Sequence, residues 1–128
     1  MNLLLDTHTF LWFFDGNILL SNKAKKAIEN TENNKFISIA SIWEVAIKLN
    51  IGKLNLEINL EDLKKEIARN NFDILPLDFE HINGLSKLEL IHRDPFDRII
   101  ISQAITEDYT IISKDSNFQL YSELNLLW

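Results

Sequence analysis

Apolar and polar positions along this chain follow two rhythms, short continuous runs and longer stretches at helical spacing. Residues 2–5 form a brief apolar run of the buried-strand type, and Thr7 to Phe14 continues as an apolar-rich helix. Ser21 opens a second helix with Ala24, Ala27 and Ile28 on one face, fraying near Asn30 to Asn34. The β-branched and apolar run Phe36 to Ile39 reads as a second central strand. Ser41 begins a third helix, in which Ile42, Val45, Ala46 and Leu49 keep helical spacing and Gly52 marks the stop. Asn59 or Leu60 opens a fourth, with Leu60, Leu63 and Ile67 inward. Asp73 to Leu75 is a third strand ended by Pro76, and Asp78 to Leu85 a short helix. Asp94 caps a long helix reaching about Glu107, with Pro95 at its first position. Thr110 to Ser113 supplies a fourth strand, Ser116 to Tyr121 a helical turn, and Leu126 to Trp128 a short edge strand.

Strands alternating with helices imply a mainly parallel sheet of four to five strands covered on both faces, a three-layer α/β sandwich. No repeat, linker or low-complexity segment interrupts the pattern, so residues 1–128 are expected to form a single domain.

The composition narrows the chemistry. With no cysteine in the chain, a disulfide framework, thiolate zinc sites and cysteine nucleophiles are excluded, which fits a reducing, cytoplasmic setting. The first apolar run stops at Asp6 without a positive leader or a cleavage site, so no signal peptide is expected. No apolar stretch approaches the ~20 residues of a membrane helix. Only three glycines are present, and none falls in a phosphate-cradling, dinucleotide or nucleophile-elbow motif. A net charge of −6 argues against a broadly basic nucleic-acid surface and leaves only local basic groups for that purpose.

Four acids stand out by placement. Asp6, Glu44, Asp97 and Asp115 each fall where an apolar run gives way to a helix start. In a parallel sheet those junctions share one edge, where ligands gather. Each acid also has a plain structural reading. Asp6 and Asp115 are natural helix caps, Ser41 and Glu44 have capping-box spacing, and Asp94 with Asp97 can share the start of the long helix. The joint pattern favours a site, because caps can be Ser, Thr or Asn at similar cost and need not converge. Asp94, just before Pro95, is better read as a cap with a supporting role, which leaves Asp97 to point over the sheet edge. Thr7, Ser41 and Ser113, close to these acids in sequence, join it as supporting residues.

All-oxygen donor sets suit Mg²⁺ or Mn²⁺. One or two such ions activate water and stabilise a leaving oxygen, so hydrolysis of a phosphodiester is the natural reaction. Lys48, Arg98 and Lys114 lie near the acids and are candidates for holding substrate phosphates; Lys53 and Arg93 are also close. His8, His81 and His92 show no zinc-ligand spacing. Trp43 is expected to pack beneath the site, and Trp12 to sit on an apolar helix face.

Four segments, LLLDTHTFLWFF, SIASIWEVAIKLNIGKL, IHRDPFDRIIISQA and IISKDSNFQLY, span nearly the whole chain, and in this order they resemble PIN-domain proteins. The likeness is strongest to VapC-like ribonuclease toxins of bacterial toxin–antitoxin pairs. It implies a Rossmann-like PIN fold and a Mg²⁺-dependent endoribonuclease site made of Asp6, Glu44, Asp97 and Asp115, with Asp94 in support. It also implies a homodimer and inhibition by a small antitoxin whose tail enters the active-site groove. Two places depart from the pattern: SKLELI precedes the HRD segment where a proline-containing approach is usual, and Lys114 stands beside Asp115 where a smaller neutral residue is usual.

The leading expectation is therefore a metal-dependent endoribonuclease that acts as a growth-inhibiting toxin. The alternative is a non-catalytic PIN-like module that binds RNA or protein. A receiver-type signalling domain also uses strand-end aspartates and Mg²⁺, but it wants paired acids after its first strand, and here Asp6 is followed by Thr7 and His8.

Overall fold

A computed structural model of the chain describes residues 1–55 and 59–128. The chain enters at the middle of a sheet. β1 (Asn2–Leu5) pairs with β2 (Asn34–Ser38) on one side and β4 (Thr110–Ile112) on the other. β3 (Phe72–Leu75) flanks β2, and β5 (Asn125–Leu127) flanks β4. Every pairing is parallel, and the strand order is β3-β2-β1-β4-β5. The order reverses between β1 and β4, so the connections leaving these two strands diverge and open a crevice at their C-terminal ends.

Side chains alternate across the strands, and this splits the core in two. Leu3, Leu5, Ile37, Phe72 and Ile112 face one layer, where they meet α1 (Thr7–Asp15), α2 (Asn22–Glu29) and α4 (Leu60–Arg69) through Phe10, Ala24, Ile28, Leu63 and Ile67. Leu4, Leu75 and Ile111 face the other, packed against α6 (Pro95–Glu107), a 3₁₀ helix (Ser116–Leu120) and α5 (Phe79–Lys87) through Ile100, Ile101, Ala104, Phe118 and Leu85. Burying one such Leu or Ile side chain contributes about 1.5–3 kcal/mol. α3 (Ile39–Asn50) bridges the two layers, with Ala40 in one core and Val45 in the other. Gly84 lets α5 and α6 approach closely: a Cβ there would lie 2.7 Å from Ser102 Oγ.

The expected three-layer α/β sandwich is the fold that forms, with five strands. One boundary differs in a way that bears on the site. β2 ends at Ser38, not Ile39, and α3 starts at Ile39, two residues before Ser41, capped by Ser38 Oγ accepting from Ala40 N–H. Ser38 is placed to do this because its hydroxyl also donates to buried Gln103 of α6, whose amide donates to Pro76 O at 3.3 Å. This buried link fixes α3, α6 and the end of β3 relative to one another. No helix among the described residues is long and apolar enough to cross a membrane.

Candidate active site

The four acids converge at the C-terminal edge of the sheet. Asp6 follows β1 directly and caps α1, its Oδ1 accepting from Thr9 N–H at 2.8 Å. Its other oxygen accepts from Ser113 Oγ, just beyond β4. Ser113 also accepts from Asp115 N–H at 3.0 Å, so one hydroxyl joins the loops that diverge from β1 and β4. Asp115 caps the 3₁₀ helix through Oδ1, which accepts from Asn117 N–H at 2.9 Å. In each of these two carboxylates one oxygen serves the cap and the other does not: Asp6 Oδ2 meets Ser113, and Asp115 Oδ2 meets His92 at 2.9 Å.

Glu44 is different. Since α3 starts at Ile39, Ser41 and Glu44 lie inside the helix, and the capping-box reading of this pair is overturned. They share one face, three residues apart, and turn toward α1. Thr7 Oγ1 donates to Glu44 Oε1 at 2.7 Å and lies 3.0 Å from Ser41 Oγ. Lys48, one turn on, reaches Glu44 Oε2 at 2.7 Å. Glu44 is only 5% exposed, so a helix-interior carboxylate has been drawn into a nearly dry position without a capping task to explain it.

Asp97 stands at the third residue of α6, while Asp94 Oδ1 caps the helix by accepting from Phe96 and Asp97 N–H. The Asp97 carboxyl is pushed up to about 7, first by burial and then by the negative charge of Asp94, with Asp6 and Glu44 adding to it and His92 opposing. Burial likewise raises Asp6, against hydrogen bonds from Ser113 and Thr9 that favour its charged form. These acids therefore feel one another's charge, and Asp115 joins them through His92.

His92 is the residue that sequence reasoning missed. Its Nε2 lies 3.1 Å from Asp97 Oδ2 and 2.9 Å from Asp115 Oδ2. Nδ1 accepts from Asp94 N–H at 3.2 Å, which leaves the ring proton on Nε2, between the two carboxylates. Tyr121 Oη receives the His92 N–H at 2.9 Å and donates to Glu89 O at 2.9 Å. The only signal in the sequence is that His92 sits two residues before Asp94. The other buried histidine, His81, has both nitrogens engaged, Nδ1 by Asp78 N–H and Nε2 by Glu107 at 2.8 Å, where it ties α5 to α6.

The basic candidates divide. Lys114 is exposed and lines a cavity shared with Asp6 and Asp115. Lys48 is at the site, paired to Glu44. Arg98 is placed otherwise than expected: its guanidinium donates to the backbone carbonyls of Leu88, Glu89 and His92, holding the segment that carries His92. Trp43 does not pack beneath the site; it is 61% exposed, with its edge against Phe96.

The donor set fits a hard divalent cation. Its carboxylates supply hard oxygen donors, with the His92 ring nitrogen within 4.8 Å of the nearest oxygens of Asp97 and Asp115, and they gather negative charge in a partly dry crevice, which a cation would offset.

The sequence matches the PIN domain family over residues 3–124, and the chain belongs to that family. Its domains are generally nucleases. No curated protein sequence matches the chain. Among solved structures, the fold is similar to VapBC2 from Rickettsia felis bound to a promoter DNA fragment, at a TM-score of 0.74 and 18% identity over 100% of this chain and 99% of that one. VapBC-1 from nontypeable Haemophilus influenzae gives 0.70 and 16%, over 99% and 97%. A toxin–antitoxin complex from Klebsiella pneumoniae gives 0.65 and 18%, over 98% and 95%. At these identities the likeness is one of fold, and the fold is that of the VapC PIN toxins.

Proposed function

We propose that this protein is a metal-dependent endoribonuclease, the toxin of a toxin–antitoxin pair, with Asp6, Glu44, Asp97 and Asp115 as its catalytic and metal-holding carboxylates. The observation that carries the reading is the gathering of Asp6, Glu44, Asp97 and Asp115 at one edge of the sheet, close enough that the negative charges of Asp94, Asp6 and Glu44 add to burial in holding the Asp97 carboxyl above its ordinary range. Family membership and the VapC-like fold support it.

Mg²⁺ or Mn²⁺, when bound, supplies an activated water and charge neutralisation at the leaving oxygen. The chain's own residues do the rest. Ser113 and Thr9 hold Asp6 in one orientation, and Thr7 and Lys48 hold Glu44. His92 spaces Asp97 from Asp115. Each carboxylate thus presents fixed oxygens to the crevice and need not reorganise during the reaction. Lys114 offers a cation to the RNA backbone beside the acids, which reconciles a net-acidic protein with a polyanionic substrate.

Two partners belong to the same reading. An antitoxin would restrain the enzyme, as expected from toxins of this fold. A second copy of the chain would cover α3, where Ile39, Trp43, Ile47 and Ile51 recur every fourth residue as an exposed apolar stripe.

The test is incubation of total RNA with purified protein and Mg²⁺ or Mn²⁺. Discrete fragments that disappear with chelator and in Asp6→Asn support the reading. Cleavage that survives Asp6→Asn contradicts it, and a folded, metal-loaded protein that binds RNA without cutting it supports the binding-module alternative.

A further inference from the structure

A cavity of about 400 Å³ opens beside two of the four carboxylates, lined by Asp6, His8, Trp12, Lys114, Asp115 and Ser116. Capping and the acid cluster account for Asp6 and Asp115 but not for the other walls. His8 and Trp12 lie one turn apart on α1, with ring centroids 5.8 Å apart and planes tilted by 36°. Trp12 is backed by Trp128, edge-on at 6.0 Å, which steadies the indole without removing it from the cavity. His8 is exposed, and Trp12 is half-buried. Lys114 forms no ion pair among the described residues, although Asp115 is its neighbour in sequence.

A ligand that suits these walls has a flat π-face for the rings and an anionic group for the ammonium, and it meets the acids at the adjoining crevice. A nucleotide has that layout. We propose that the cavity is a nucleobase subsite of the ribonuclease, in which one base of single-stranded RNA stacks on Trp12 with His8 beside it. Lys114 takes the phosphate that joins this base to the nucleotide at the acids. The substrate must be single-stranded at that point, because a base stacked within a duplex cannot turn its face to a protein ring. The inference rests on the ribonuclease reading and adds the residues that grip one base and its phosphate. A protein segment inserting an aromatic side chain could use the same rings, but it would leave Lys114 without a role.

The test uses Asp97→Asn as a non-cutting background, a labelled single-stranded RNA of about ten nucleotides, and fluorescence anisotropy. Trp12→Leu keeps apolar bulk against Trp128 but removes the π-face; Trp12→Phe restores a ring. Trp12→Leu is expected to weaken binding about 10-fold, with Trp12→Phe recovering most of it. Lys114→Ala should lower the salt dependence of binding by about 0.7 in log–log slope, the value for one single-strand phosphate contact. In the cutting enzyme, Trp12→Leu should raise KM with little change in kcat. If the native chain cuts RNA and Trp12→Leu and His8→Ala bind and cut as well as it does, the subsite is overturned and the ribonuclease reading stands. If Asp97→Asn binds no RNA and the native chain cuts none, both fall. Loss of a protein partner from Trp12→Leu with RNA binding intact assigns the cavity to that partner and overturns the proposal.

Discussion

Asp97→Asn is expected to make the metal-free protein more stable at pH 8 while removing the function of the site. The Asp97 carboxyl rises from 3.8 to about 7, chiefly through burial and next through Asp94. An acid with a raised folded-state pKa holds its proton more tightly when folded. Its effect is absent below the unfolded value, grows as pH climbs between the two values, and is a full destabilisation above about 7. A rise of that size corresponds to a ceiling on the order of 4 kcal/mol. The side chain is 23% exposed and the amide weakens the contact with His92, so about half the ceiling, roughly 2 kcal/mol at pH 8, is the expected gain. For 128 residues this raises Tm by about 7 °C. The assay is thermal unfolding by circular dichroism with chelator at pH 5 and pH 8. The gain should shrink toward pH 5, where the folded native chain keeps Asp97 protonated. Added Mg²⁺ should raise the Tm of the native chain and leave Asp97→Asn nearly unchanged. A variant less stable at pH 8, or a gain that does not change with pH, would refute the electrostatic reasoning.

Other expectations follow from single contacts. Thr7→Val removes the hydroxyl that donates to Glu44 and should cost about 1 kcal/mol of stability by urea unfolding, with a larger proportional loss in kcat than in KM. His92→Ala takes away the link between Asp97 and Asp115 and should weaken Mn²⁺ binding by about 10-fold or more in calorimetry, with the fold retained. Trp43→Asp places a charge on the apolar stripe of α3 and should convert a dimer to a monomer in sedimentation; an unchanged mass would move the self-association surface elsewhere.

The sequence carried most of the fold because its punctuation is local. Asp94-Pro95 starts α6, Ser21 starts α2, Asp78 starts α5, and Leu3 to Leu5 can only be a buried strand. The slip at α3 came from two serines three residues apart. Ser41 follows the apolar run Phe36 to Ile39, but Ser38 is the cap because Gln103, far away in sequence, holds its hydroxyl. That slip also disguised Glu44 as a cap partner. His92 was hidden for a related reason: Asp115 is 23 residues beyond it, and no periodic pattern joins an irregular segment to a strand end. Arg98 carries a task that its closeness to the acids did not suggest, since its three carbonyl contacts are set by the course of residues 88–92.

The central claim is that these carboxylates form one cation site, and titration of Mn²⁺ into the native chain and its amide variants at pH 7 tests it most directly. The account predicts binding to the native chain with release of protons, read from the heat in buffers of different ionisation enthalpy, because Asp97 is part-protonated at that pH. Asp6→Asn, Glu44→Gln, Asp97→Asn and Asp115→Asn should each weaken binding, and Asp97→Asn should also abolish the proton release. Binding of equal strength in all five proteins, or none to the native chain, would contradict it.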